Sequence, residues 1–179
     1  MANKQALREL QTRLAERMLA ARLQPRGQSW LAVECRGHGI LLPLEQAGEI
    51  FAMVPLLPVP HTQTRFAGVA NQRGGLHGVV DLARFLGLPE ASAAEGGRDQ
   101  ARLISLGAAL GLNVALQVDR LAGLRAIDQL QPDTAASDGG ATERPHFAPT
   151  RWRDNDGRSW QALDLDALAH DVRFVSIVA

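Results

Sequence analysis

The chain has 179 residues, enough for one globular domain or for two small ones that share a core. Its 19 basic and 19 acidic side chains balance, which excludes a general nucleic-acid binder because phosphate contacts require a surplus of Lys and Arg. The single cysteine excludes an internal disulfide framework and favours a reducing, cytoplasmic environment, and no apolar run reaches the roughly 20 residues that insert across a bilayer.

The first 28 residues contain the only long helical pattern. Apolar side chains recur at helix spacing at Leu7, Leu10, Leu14 and Met18, and charged residues take the opposite side. Pro and Gly end the pattern before residue 28. We predict an N-terminal helical extension over residues 1–28. It either covers a face of the body or docks a partner helix, and the narrow stripe favours the first interpretation.

Period-two patterns begin immediately afterwards. Leu31, Val33 and Cys35 alternate with a second set on the opposite side, and a return strand is predicted at 40–42. Because Cys35 falls on the apolar side of its strand, a buried structural thiol is favoured over a nucleophile.

The 67–88 stretch reads AGVANQRGGLHGVVDLARFLGL. Two apolar runs flank a polar bend at Asn71–Gly75, in which Asn and Gly tolerate positive φ, so the pattern predicts a hairpin. Asp81 then begins a short helical turn. Arg73 is an unusual residue for such a bend, and it offers a rigid fork of five donors.

The second half of the chain also predicts strands joined by hairpins. Strands are expected within 102–106, 113–119, 121–127, 147–153 and 158–163, with polar loops at 89–100 and 131–148. A helical turn follows at 165–169. The tail over 172–179 carries strand-type residues and is expected to pack back on the body.

Patterns that would carry chemistry are missing from the sequence. The five histidines have no metal-ligand spacing, and Asp154–Gly157 is typical of a hairpin turn rather than a calcium loop, since no closing Glu follows. The glycines at 74–78 lack the Lys-Ser/Thr of a phosphate loop. We therefore expect no catalytic residue, metal or cofactor.

The 67–88 stretch resembles the signature of the CheW-like domain family, the coupling modules of bacterial chemosensory arrays. That signature runs from Gly-Val through Arg-Gly to Pro-Val-(Ile/Val)-Asp-Leu and ends in Leu-Gly. The matching residues are Gly68-Val69, Arg73-Gly74, Val79-Val80-Asp81-Leu82 and Leu86-Gly87. Gln72 and Gly78 depart from the signature, because Leu and Pro are common there.

The resemblance implies an all-β fold of two five-stranded β-barrel subdomains that share a hydrophobic core, with the N-terminal helix as an addition. The domain is expected over 29–171. Its first barrel takes about 30–88 and its second about 100–165.

The resemblance further implies an adaptor that is not an enzyme. Its partners would be the signalling tip of a methyl-accepting chemoreceptor and the regulatory domain of a CheA-like histidine kinase, with no nucleic acid and no direct membrane insertion. The N-terminal extension and the chain's end resemble PilI-type adaptors of the type IV pilus system, which controls twitching motility. A flagellar-type coupling protein is the alternative.

Partner-binding residues are also implied by the resemblance. The receptor groove and its rim would comprise Ala47, Glu49, Ile50, Gly68, Val69, Asn71, Arg73 and Gly74. The kinase would contact the hairpin strand through Val114, Leu116 and Val118. We hypothesise that Arg73 and Glu49 form a bidentate pair that fixes the bend.

Two other classes of function remain open. One is a small-molecule-binding β-barrel with a pocket between the barrels. The other is a hydrolase that uses Cys35 or a pair of carboxylates.

Overall fold

The computed structural model describes residues 29–89, 100–133 and 145–179, so the predicted N-terminal helix lies outside the described residues. The strands are β1 (Ser29–Cys35), β2 (His38–Pro43), β3 (Ala47–Ala52), β4 (Phe66–Gln72), β5 (Gly75–Asp81), β6 (Arg102–Leu106), β7 (Val114–Val118), β8 (Arg120–Ala126), β9 (Leu130–Pro132), β10 (Arg151–Asp154) and β11 (Ser159–Ala162). The short helices are α1 (Leu82–Phe85), α2 (Leu165–Ala169) and α3 (Val172–Val175). Among these described helices none has the length and apolarity to cross a membrane.

The strands form two sheets. Sheet 1 has six strands in the order β8-β1-β2-β11-β10-β9, and sheet 2 has five in the order β3-β6-β7-β5-β4. The pairs β2–β11 and β5–β7 are parallel and join strands that are far apart in the chain. The strand pairing therefore differs from the expected division at 30–88 and 100–165, because each sheet takes strands from both ranges.

Strand β1 is buried on both faces. Leu31, Val33 and Cys35 belong to the apolar cluster that contains residues of both sheets, which we call the shared core. Trp30 and Ala32 belong to a second cluster on the other face of sheet 1. Sheet 2 has a corresponding outer cluster of its own. The period-two alternation predicted for β1 is thus present, with each face packed against a different core.

The C-terminal tail packs against the body in a form that the sequence did not predict. Instead of a strand, Val172–Val175 forms helix α3, because Asp171 Oδ1 accepts a hydrogen bond from Arg173 N at 2.7 Å and caps it. Only after this helix does the backbone extend, where Gln63 N donates to Ile177 O at 2.8 Å.

A buried carboxylate on β1 is paired with two arginines that lie far from it in the sequence. Glu34 on β1 is 6% exposed, and it accepts hydrogen bonds from Arg120 Nε and Nη2 at 2.5 and 2.7 Å. Arg158 also pairs with it. Burial alone would raise the pKa of Glu34, but the hydrogen bonds and charges of the two arginines outweigh it and lower the pKa.

Replacing this carboxylate tests its contribution. Because the folded pKa of Glu34 lies below its unfolded value, the stabilisation is complete above about pH 4.5 and is lost as the pH falls through the folded pKa. We expect the free energy of unfolding of Glu34→Gln to be about 1–3 kcal/mol lower than that of the wild type at neutral pH. Its stability should also fall less steeply in acid than that of the wild type, as measured by denaturant titration across pH.

The matched control is Glu45→Gln in the exposed turn after β2. This variant should keep wild-type stability at neutral pH. Equal stability of Glu34→Gln and the wild type at neutral pH would contradict the assigned role.

Candidate partner-binding surface

Arg73 and Gly74 form the two-residue turn of the β4–β5 hairpin. Their φ angles are 50° and 83°, as a type I′ turn requires at both central positions. The predicted wider bend at Asn71–Gly75 is wrong in its extent, since Asn71 remains in β4 and pairs with Leu76. Arg73 therefore adopts the left-handed conformation itself, at a cost of about 1–2 kcal/mol.

The predicted pairing of Arg73 with Glu49 is present, through one hydrogen bond rather than two. Arg73 Nη1 donates to Glu49 Oε2 at 2.9 Å, and the two side chains are 78% and 61% exposed. An ion pair this exposed contributes about 0–1 kcal/mol. The pair therefore offsets little of the strain in the turn, and its main consequence is two charged groups held at a fixed place on the surface.

Two edge strands each expose an apolar side chain beside the shared core. Ile50 on β3 lies opposite Ile104, and Leu124 on β8 lies opposite Leu31. Because Ile104 and Leu31 point into the shared core, their cross-strand neighbours lie on the same face of each sheet. Ile50 is nevertheless 43% exposed and Leu124 59% exposed. The core-facing sides of both edges are therefore incompletely covered.

Leu44 and Ala47 add to this surface. Leu44 is 40% exposed and follows Leu42 by two residues, and Leu42 points into the shared core. Ala47 packs against the same core and is half-buried. We call Leu44, Ala47, Ile50 and Leu124 the apolar margin. Leu44 and Leu124 were not among the predicted site residues, since their exposure depends on how the sheets end rather than on local pattern.

The structure removes one predicted residue from the partner-facing surface. Gly68 is buried with φ 135°, and a Cβ built on it would lie 2.5 Å from Leu57 O. Leu57 and Val69 exchange two backbone hydrogen bonds of 2.8 Å directly over this position. The expectation that Gly68 contacts a partner is wrong, because it lies beneath the Leu57 backbone, and Val69 beside it is half-buried.

The kinase contacts expected on β7 also need correction. Leu116 and Val118 are 0% and 1% exposed and belong to the shared core. Strand β7 lies between β6 and β5 inside sheet 2, so these side chains have no access to a partner. Of the three predicted residues, Val114 at the start of the strand is the one that is partly exposed.

The candidate nucleophile is unsuited to catalysis. Cys35 is fully buried, and burial raises the pKa of its thiol far above the usual range, so the thiolate needed for attack is disfavoured. Within 29–89, 100–133 and 145–179, no group of three or more His, Cys, Asp or Glu side chains could hold a metal ion.

Two of the open depressions lined by described residues are larger than about 500 Å³ and could be considered for a small molecule. One, of about 520 Å³, lies beside Glu49 and Arg73 and is lined in part by Phe51 and His77. The other, of about 600 Å³, is lined by residues including Trp160 of β11. Each opens to solvent, whereas ligand pockets usually enclose most of the ligand.

A family model described as "CheW-like domain" matches residues 29–173, which contain both sheets. The crystal structure of the scaffolding protein TtCheW from Thermoanaerobacter tengcongensis is similar, with a TM-score of 0.67 at 18% identity over 86% of this chain and 94% of that chain. Comparison with curated proteins gave no significant match. Since the family model covers most of its length, the chain belongs to the CheW-like domain family.

Proposed function

We propose that this chain is a scaffold that couples a chemoreceptor to a CheA-like histidine kinase in a chemosensory array. The observation that carries the proposal is the apolar margin, which exposes Ile50 and Leu124 beside the shared core. Exposed apolar side chains that continue a core-facing row are a place where a partner can bury apolar surface. Membership of the CheW-like family supports the same conclusion, and the similar structure is of a scaffolding protein.

The receptor would bind as a helix laid against the apolar margin. Burial of apolar side chains supplies the affinity in this mode of recognition, and charged groups at the rim set orientation and partner choice. Glu49 precedes Ile50 on the edge strand β3 and is held by Arg73, and we place this charged pair at the rim. We assign Asn71 and Gly74 to the same rim.

The kinase would bind near the outer edge of sheet 2. Leu57, which covers Gly68, is 72% exposed and bridges to Val69 on the edge strand β4. We therefore assign this contact to Leu57 and Val69 in place of Gly68, with Val114 at the near end of β7.

We assign the array to type IV pilus control, as the N-terminal extension and the C-terminal sequence favour. Deletion of the gene should then abolish twitching on surfaces and leave flagellar swimming intact. Loss of swimming with normal twitching would support the flagellar alternative.

The apolar margin can be tested by placing a charge on it. Ile50→Glu should weaken binding of a receptor signalling fragment by at least about tenfold, because a carboxylate must be desolvated where an apolar contact was made. Binding to the kinase regulatory fragment should not change. Titration calorimetry with each fragment measures both affinities.

Val172→Glu is the matched control, since Val172 is 76% exposed on α3 and is not one of the margin residues. It should bind the receptor fragment as the wild type does. Equal losses in both variants would show that added charge, rather than its position, weakens binding, and would remove the margin from the interface.

The strained turn gives an independent test. Arg73→Asn keeps a residue that tolerates positive φ, so its free energy of unfolding should equal or exceed that of the wild type by up to about 1 kcal/mol. Receptor affinity should fall about three- to tenfold, since both the guanidinium and its hold on Glu49 are lost. Thermal unfolding and receptor titration provide the two readouts.

Arg151→Asn on β10 of the other sheet serves as the control for loss of an exposed arginine. If Arg73→Asn lost stability and kept full receptor affinity, Arg73 would have a structural role only.

A further inference from the structure

Sheet 2 curls until its opposite sides approach each other. Strand β5 is separated from the edge strand β3 by two strands, which in a flat sheet would hold them about 14 Å apart. The ring centroids of Phe51 on β3 and His77 on β5 are nevertheless 6.0 Å apart, and Arg73 in the β4–β5 turn donates to Glu49 on β3 at 2.9 Å. The sheet therefore wraps around its outer cluster as a small barrel.

The depression of about 520 Å³ lies at one end of this barrel. Its lining includes the β4–β5 turn, the end of β6 and the turn that precedes β7, all of which meet at that end. We call this depression the barrel mouth. Mouths of β-barrels are a common place for small-molecule sites, and the volume falls within the usual range of about 300–1,000 Å³.

The charged side chains that line the barrel mouth are one acid and one base. Glu49 and Arg73 are both mostly exposed, so a molecule in the mouth can contact either of them. Arg73 uses one of its five N–H donors on Glu49. Because so exposed an ion pair is weak, a ligand that carries its own cation and anion can replace both partners.

Other polar side chains in the mouth have unused hydrogen-bonding capacity. His77 Nδ1 is buried without a partner, and the side-chain amides of Gln72 and Asn113 have none among the described residues. Leaving a buried polar group unpaired costs free energy, which a polar ligand atom can recover. Phe51 adds an apolar wall to the same depression.

We propose that the barrel mouth binds a free α-amino acid with a polar side chain. Its carboxylate pairs with Arg73 and its ammonium group with Glu49, while its side chain lies along Phe51 towards His77. The two charges of an α-amino acid are attached to one carbon, which matches two protein charges held side by side. The site requires neither receptor nor kinase, so it does not rest on the proposed function.

The probe is L-glutamine, titrated into the full-length chain while backbone amide shifts are followed by NMR. Saturable shifts are expected in residues 48–51, 72–77 and 105–113. The dissociation constant should be on the order of 1 mM, because the mouth is open and the ligand is small. Glutaramate lacks the ammonium group and 4-aminobutanamide lacks the carboxylate, and each should bind at least about fivefold more weakly than glutamine.

Two variants assign the ligand charges to their partners. Glu49→Gln should bind glutamine at least about fivefold more weakly but glutaramate no more weakly than the wild type, since only the ammonium group has lost its partner. Arg73→Asn should likewise weaken glutamine and leave 4-aminobutanamide unaffected. Glu45→Gln and Arg151→Asn are the controls, because neither residue lines the mouth, and both should bind glutamine as the wild type does.

Absence of saturable shifts in these segments up to about 20 mM glutamine, well above the expected dissociation constant, would overturn the proposal. Analogues that bind as tightly as glutamine would overturn it too, since the paired charges would then not select the ligand. The same holds if the control variants lose as much affinity as Glu49→Gln. No receptor is present in these titrations, so a failed ligand site would leave the proposed function standing.

Discussion

The fold depends on β1 being apolar on both of its faces. One face places Leu31 and Val33 in the shared core, and the other places Trp30 in the outer cluster of sheet 1. Such a strand can exist only in the interior of a sheet, between two neighbours and two layers of side chains. Its neighbours are β2 from the first half of the chain and β8 from the second, so neither half can complete a sheet alone.

This interleaving also explains where the exposed apolar surface arises. The chain leaves sheet 1 after β2 and begins sheet 2 at β3, and it returns to sheet 1 at β8. Both β3 and β8 are edge strands whose core-facing side chains lie at the limit of the shared core. Ile50 and Leu124 are thus apolar because they continue a core pattern, and exposed because each lies on the outermost strand of its sheet.

Local sequence pattern predicted the strands well and their pairing poorly. The alternation of Leu31 with Trp30 and the hairpin around Arg73 follow from residue type and turn chemistry over a few positions. The pairing of β2 with β11 depends on contacts across more than a hundred residues, for which period and propensity contain no signal. The tail departs from its strand-type sequence pattern for a local reason. Asp171 caps a helix, and this capping overrides the strand preference of the residues after it.

The candidate site was predictable to the same extent. Charged partners such as Glu49 and Arg73 could be paired through the family resemblance, although their single hydrogen bond could not be foreseen. For β7, alternation indicates two faces without telling whether both are covered. Leu116 and Val118 point into the shared core of a central strand, and this position in the sheet is a tertiary property.

The backbone of the edge strands β3 and β8 limits the kind of partner that the margin can bind. Unpaired edge strands ordinarily invite another strand, which is a route to aggregation. Here the pairing of β3 with β6 shifts register between Ala47 and Ile50, and that of β8 with β1 shifts near Gly123, which has φ 96°. Such bulges twist the edge and interrupt its row of backbone groups, so adding a strand is disfavoured while the apolar side chains stay accessible. A helix, whose own backbone is satisfied, needs only those side chains. The margin therefore suits a helical partner rather than an added strand.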